Sequence, residues 1–139
     1  MAYTACPTGN ACVKTACASP RKRVTGADQS VIELFAFLHD SKRMNDDYDP
    51  EHGVRAAQFA NKLAGIVFRI DEDNLKYLIN ACRFHCDGIT AGHITVLTCW
   101  DADLLDLGRV GIKPEVNRLF TEAARNPQVL NWAYDRSTR

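Results

Sequence analysis

Apolar residues recur at helical spacing along most of the chain. Ser30 and Glu33 form a capping-box signature, and the apolar positions that follow it predict a first helix over 30–41. The Asp-Pro-Glu stretch at 49–51 places an N-cap residue, a proline at the first helical position and an acid in the first turn. It predicts the start of a second helix over 50–64. The apolar positions behind these two predictions are Val31, Leu34, Phe35, Leu38, Ala56, Phe59, Ala60 and Leu63.

The same periodicity continues in the second half of the chain. A third predicted helix starts near the acidic cluster 71–73 and ends by Gly88, and a fourth apolar stripe runs from Ile94 to about Gly108. Two prolines, each followed by further apolar residues, stand where later helices would start; they are Pro114 and Pro127. No alternating strand pattern is present, so the sequence predicts an all-α fold, a compact helical bundle.

Charge divides the chain into two parts. The 139 residues carry 17 basic and 17 acidic side chains, a net charge of zero, and 46% hydrophobic content suits a single globular domain. Residues 1–27 hold four basic residues and no acid, and they lack apolar periodicity. We therefore predict a disordered basic arm over 1–27 and a helical domain over 28–139.

The composition also limits the expected compartment and partners. There is no apolar stretch suited to a secretory signal or a membrane span, so a cytoplasmic protein without a membrane partner is predicted, with an organellar transit segment as the alternative. The six cysteines form no CxxC pair, which favours reduced thiols, with Cys82 and Cys99 as small core residues. The basic run at 21–23 is too short to predict a specific nucleic-acid partner.

Several polar residues fall on the predicted apolar faces. His85 continues the periodicity of the third helix, and Asp101 lies between two leucines of the fourth; His39 and Asp40 are adjacent at the end of the first. Singly, each could be a satisfied core histidine, a cap or an ion-pair partner. Together, imidazole and carboxylate form a ligand set for a divalent ion such as Mn, Fe, Zn or Mg.

Four segments containing these residues resemble the HD superfamily of metal-dependent phosphohydrolases. The four segments are 34–43, 49–53, 81–88 and 99–112. The first contains the His-Asp doublet, and the last contains the motif Asp-Ala-Asp-x-Leu-Asp. The resemblance implies an all-α HD-like domain in which His39 and Asp40 match the metal-binding doublet and Asp101 the late ligand. It also implies that His52 and His85 are additional ligands, although His52 could instead be a surface residue in the first turn of a helix.

The resemblance further implies an activity. A divalent ion on imidazole and carboxylate ligands activates water, so hydrolysis of a phosphate ester or nucleotide is the expected reaction, and a small phosphorylated molecule is the expected substrate. Asp40, Lys42 and Arg43 are the candidate catalytic residues, since the two cations directly follow the doublet and could reach the phosphate. The alternative for these two cations is a solvated helix end.

The chain departs from the family pattern at two places. No histidine precedes His39, although the family carries a metal-binding histidine on an upstream helix, and Leu104 stands where a basic residue is expected. Two hypotheses follow. In the first, water or a residue of the arm fills the vacant position, the remaining ligands hold a metal, and hydrolysis persists weakly. In the second, the chain is a non-catalytic or truncated HD-like domain that serves as a binding or interaction module.

Overall fold

The fold is all-α, as the periodicity predicts. The computed structural model describes residues 26–139, so nearly all of the arm predicted over 1–27 lies outside the described residues. No β-strand forms within the described part; one isolated bridge joins Ala64 and Phe68. The helices are α1 (Gln29–Leu38), α2 (His52–Leu63), α3 (Glu72–Phe84), α4 (Ile94–Leu105), α5 (Glu122–Arg125) and α6 (Pro127–Ser137), with short 3-10 helices at Leu107–Val110 and Val116–Arg118.

Helix α1 is shorter than predicted and is capped by a different residue. The Asp28 carboxylate accepts the Val31 backbone N–H at 3.1 Å, so the helix begins ahead of Ser30, the predicted cap. At the other end, the Ser41 hydroxyl donates to the Leu38 carbonyl at 2.7 Å, within a turn over residues 39–42. The His-Asp doublet therefore lies immediately after the last residue of α1.

The starts of α3 and α6 follow the expected chemistry, whereas the start of α2 and the segment after Pro114 do not. Asp71 caps α3 by accepting the Asn74 N–H at 2.9 Å, and Pro127 occupies the first turn of α6. Helix α2 begins at His52, slightly later than predicted. Pro114 starts no α-helix, because the chain after it forms only a short 3-10 helix.

The core lies among α1, α2, α3 and α4. Its buried side chains include Val31, Phe35, Ala56, Leu78, Cys82, Val96 and Cys99. Cys82 and Cys99 are buried, as predicted, and burial raises the pKa of the Cys82 thiol to about 12, which leaves it protonated and unreactive. A smaller apolar cluster joins the end of α4 to α6, and it comprises Leu105, Leu119, Ala124, Leu130 and Ala133.

Helices α2 and α3 approach each other closely at Gly53. A Cβ atom at Gly53 would lie 2.7 Å from the Arg83 carbonyl oxygen and 2.8 Å from that of Cys82. Only glycine permits this contact, and it brings the first turn of α2 against the last turn of α3. Of the helices within residues 26–139, none combines the length and apolar character needed to cross a membrane.

Candidate metal centre

Three histidines at the ends of three helices surround Asp40. His39 follows α1, His52 is the first residue of α2, and His85 follows α3. The Asp40 Oδ2 atom lies 3.5 Å from His39 Nε2, and Oδ1 lies 3.3 Å from His52 Nε2 and 3.4 Å from His85 Nε2. The structure therefore brings together four of the five predicted metal ligands.

Each of these imidazoles is oriented by a backbone carbonyl. His39 Nδ1 donates to the Phe35 oxygen at 2.8 Å, His85 Nδ1 donates to the Cys82 oxygen at 2.7 Å, and His52 Nδ1 donates to the Asp49 oxygen. These acceptors assign a proton to every Nδ1 atom and direct every Nε2 atom toward Asp40. Metal-binding histidines have this arrangement, in which a hydrogen bond on one nitrogen presents the other to the ion.

The Nε2 atoms of His52 and His85 lie 2.8 Å apart. With both Nδ1 atoms protonated, two neutral rings would turn lone pairs toward each other at that distance, so a proton or a metal ion must lie between or beside them. Two further atoms of the cluster, His39 Nε2 and Asp40 Oδ1, are buried and lie 3.3–3.6 Å from oppositely charged groups, but neither forms a hydrogen bond of good geometry within residues 26–139. Since buried polar atoms are rarely left without partners, these atoms fit a site for a cation.

Electrostatics within the cluster favour positive charge on His85 and His39, whereas burial lowers the pKa of His52 and favours its neutral form. Burial lowers the pKa of His85, but its contacts with Asp40 and Cys86 outweigh burial and raise that pKa to about 10. The pKa of His39 is also raised, because Asp103 and Asp40 offset its burial. Burial disfavours the ionised form of Asp40, yet His85 and His39 hold the pKa of this carboxyl below its ordinary value. Protons therefore supply the positive charge that a metal ion would replace.

Asp103, which the sequence did not single out, contributes a second carboxylate. Its Oδ1 atom lies 3.3 Å from His39 Nε2. Burial raises the pKa of Asp103, but the nearby His39 lowers this pKa by a larger amount. The net shift is downward, and the carboxylate stays ionised. Asp103 belongs to the late Asp-Ala-Asp motif. The motif could have identified it as a candidate ligand, whereas the apolar periodicity pointed to Asp101.

Asp101 lies away from the cluster, which corrects its predicted role as a ligand. Its carboxylate accepts from the Phe120 N–H at 2.7 Å, the Thr121 N–H at 2.8 Å and the Thr121 hydroxyl at 2.7 Å. A helix turns roughly 200° over two residues, so Asp101 and Asp103 project from different sides of α4. The buried position predicted for Asp101 is correct, but the residue anchors the chain before α5.

The two predicted phosphate-binding cations have different positions. Lys42 Nζ lies over the Phe59 ring, 3.9 Å from its centroid, and so the structure does not bring this predicted catalytic residue to Asp40. Arg43 Nε lies 3.6 Å from Asp40 Oδ1. A second arginine, Arg109, was not anticipated, and its Nη2 atom lies 3.6 Å from Asp40 Oδ2.

Cys86 completes a group of three soft or borderline donors. Its exposed thiol lies 3.6 Å from His52 Nε2, and the donor atoms of His52, His85 and Cys86 all lie within 4.8 Å of one another. This group could hold a metal ion. His52 is buried, which excludes the surface position considered for it, and His85 faces inward as its periodicity predicts.

Comparison of the chain with protein families, curated proteins and solved structures finds no match. The resemblance to the HD superfamily and the activity it implies therefore remain predictions.

Proposed function

We propose that this protein binds a divalent metal ion and uses it to hydrolyse a phosphate ester. The proposed ligands are His39, Asp40, His52, His85 and Asp103. The observation that carries the proposal is the 2.8 Å approach of two Nε2 atoms, from His52 and His85, whose rings are both oriented by backbone carbonyls. His39 Nε2 adds to this argument, because its neighbours are two carboxylates, Asp103 at 3.3 Å and Asp40 at 3.5 Å, which could bind a cation together with the imidazole.

The donor set indicates which metals are suitable. Three imidazoles and two carboxylates fit Mn, Fe or Zn better than Mg, which prefers oxygen ligands. The C-terminal ends of α1 and α3 and the N-terminal end of α2 lie at the site, so the partial negative charges of two helix C-termini, which favour a cation, outnumber the partial positive charge of one N-terminus. An imidazole-rich site on two helix C-termini is therefore suited to a transition-metal ion.

The proposed chemistry divides between the metal and the chain. When bound, a divalent ion lowers the pKa of coordinated water and neutralises charge on a phosphoryl oxygen. Asp40, kept ionised by its neighbours, and Asp103 would bind the ion together with the Nε2 atoms that the backbone carbonyls present. Arg43 and Arg109 place positive charge beside Asp40, where a phosphate group would approach.

Cys86 favours a second candidate function, a non-catalytic zinc module. A site built from His52, His85, Cys86 and Asp40 would have four protein ligands, which is the number in structural zinc sites and leaves no position for water. Catalytic zinc sites instead keep a position open. The two functions therefore differ in whether the Cys86 thiolate binds the metal.

The test is metal analysis of protein purified without chelator, followed by an assay with an aryl phosphate. We expect one transition-metal ion per chain, lost in His39→Ala and in Asp103→Asn. Asp101→Asn is the matched control, because this carboxylate is two residues away but outside the cluster, and we expect it to retain the ion. Circular dichroism of each variant separates loss of metal from loss of folding.

The outcomes separate the candidates. Metal binding with Mn-dependent turnover supports the hydrolase, and metal binding without turnover of any phosphate ester supports the binding module. If the unmodified protein takes up no metal even after ions are added back, both functions are wrong.

A further inference from the structure

Two arginines flank the metal-facing carboxylate from different parts of the chain. Arg43 follows α1 and approaches Asp40 Oδ1 at 3.6 Å, whereas Arg109, in the 3-10 helix after α4, approaches Asp40 Oδ2 at 3.6 Å. Charge-assisted hydrogen bonds between guanidinium and carboxylate are about 2.7–2.9 Å long, so neither contact is a closed ion pair. Both guanidinium groups therefore retain donors for another anion.

Arg109 is held in place by a separate acid. Its Nε atom lies 3.1 Å from Asp106 Oδ2, and the Asp106 side chain is almost fully buried. This contact uses the Nε atom of Arg109 and leaves its Nη2 atom near Asp40 Oδ2, at 3.6 Å. Asp106 is thus a positioning residue for Arg109.

The charge of the site requires an anionic ligand once a metal is present. A divalent ion neutralises Asp40 and Asp103, and the guanidinium of Arg43 then has no full carboxylate partner within the described residues. Within residues 26–139, the other hydrogen bonds of the Arg43 side chain are to the backbone oxygens of Asn45 and Asp47, each at 3.4 Å. An anion that bridges the metal and the arginines would compensate this positive charge.

We propose that Arg43 and Arg109 form a two-armed clamp for a terminal phosphoryl group, which makes the preferred substrate a phosphate monoester. This inference rests on the proposed metal-dependent function. A monoester has three terminal oxygens, one for the metal and one for each arginine, whereas a diester has only two. Since the arginines approach different oxygens of Asp40, they could contact different oxygens of one phosphoryl group bound beside this carboxylate.

The test measures binding rather than turnover. Isothermal titration of Mn-loaded protein with methyl phosphate and with dimethyl phosphate compares the unmodified chain with Arg43→Gln, Arg109→Gln and Arg109→Lys. We expect methyl phosphate to bind at least tenfold more tightly than dimethyl phosphate. Each glutamine variant should weaken methyl phosphate binding by about tenfold or more, the usual loss for a hydrogen bond to a charged group. Arg109→Lys keeps the charge without the forked donors and should recover part of the affinity.

Lys42→Gln is the matched control. It removes the same charge from the residue next to Arg43, but Lys42 lies over Phe59, so we expect less than a twofold change in methyl phosphate affinity. Manganese content is measured on the same samples.

The outcomes distinguish this proposal from the one on which it rests. Full metal content with methyl phosphate affinity unchanged in both glutamine variants overturns the clamp and leaves the metal centre standing. Equal affinity for the two esters overturns the monoester preference in the same way. Failure of the unmodified protein to bind manganese overturns both proposals.

Discussion

His52 and His85 present their Nε2 atoms to each other across 2.8 Å, from the start of α2 and the end of α3. The contact depends on how closely these helices approach, and Gly53, beside His52, makes that approach possible. The packing of two helices and the geometry of the candidate metal centre are therefore set by the same few residues. A change that separates the helices should affect both stability and metal binding.

Gly53→Ala tests this coupling. The new Cβ atom would meet two backbone carbonyl oxygens at 2.7 and 2.8 Å, and because backbone cannot rotate away, α2 must shift. We expect the free energy of unfolding to fall by about 1–3 kcal/mol, the usual cost of overpacking. Metal affinity should also fall, because His52 moves away from His85. Denaturant unfolding and metal titration measure the two effects.

Gly92→Ala is the control for that substitution. Its Cβ atom would lie 3.8 Å from a Val96 methyl group, an ordinary contact, so stability and metal affinity should stay close to those of the unmodified chain. If Gly53→Ala behaves like Gly92→Ala, the close approach of α2 and α3 does not set the site.

Metal binding should be accompanied by proton release. The pKa of His85, raised to about 10 by Asp40 and Cys86 against the effect of burial, means that this ring is protonated at neutral pH when no ion is bound, and the pKa of His39 is shifted in the same direction. A metal requires the neutral rings, so its affinity should rise with pH between 6 and 8, by about tenfold per pH unit for each proton displaced. Titration calorimetry in buffers of different ionisation enthalpy counts the protons. An affinity independent of pH would contradict this protonation scheme.

Asp101 and Asp103 should give opposite phenotypes. Asp101→Asn weakens three hydrogen bonds to Phe120 and Thr121, and we expect a loss of about 1–3 kcal/mol in the free energy of unfolding, with metal content retained. Asp103→Asn should lose metal with a smaller change in unfolding free energy. Thermal unfolding and metal analysis of both variants check this, and loss of metal in Asp101→Asn alone would reverse the assignment.

The helical spacing of apolar residues predicts the positions of the main helices and the faces that they bury. Helices α1 to α4 lie near their predicted positions because each buries one face, and that face is visible in the sequence as repeats such as Val31 and Phe35. Inward placement of His85 follows from the same reasoning. The missing helix after Pro114 shows the limit, since a proline permits a helix start but does not require one.

The candidate site depends on contacts that no local pattern reveals. The choice between Asp101 and Asp103 is set by the rotation of α4 relative to α1 and to the Phe120–Thr121 segment, and both positions carry the same residue type. Arg109 and Cys86 reach the cluster from segments whose position is fixed by tertiary packing. Sequence reasoning could identify His85 because a buried imidazole on an apolar face is unusual, and His39 because it adjoins Asp40 at a helix end. His52 was predicted only through the resemblance, since partly exposed polar residues are common.

Cys86 provides the last prediction, which separates the two candidate functions. For tetrahedral zinc, ligand bonds of about 2.0 Å to nitrogen and 2.3 Å to sulfur imply a nitrogen-to-sulfur separation of roughly 3.5 Å. The Cys86 thiol lies 3.6 Å from His52 Nε2, so it has the position of a ligand. We therefore expect the cobalt(II)-loaded protein to show a thiolate-to-cobalt charge-transfer absorption that Cys86→Ser lacks. Identical spectra would show that the thiol does not bind the ion. In that case the position remains available to water, as hydrolysis requires, and the zinc module loses the ligand that favoured it.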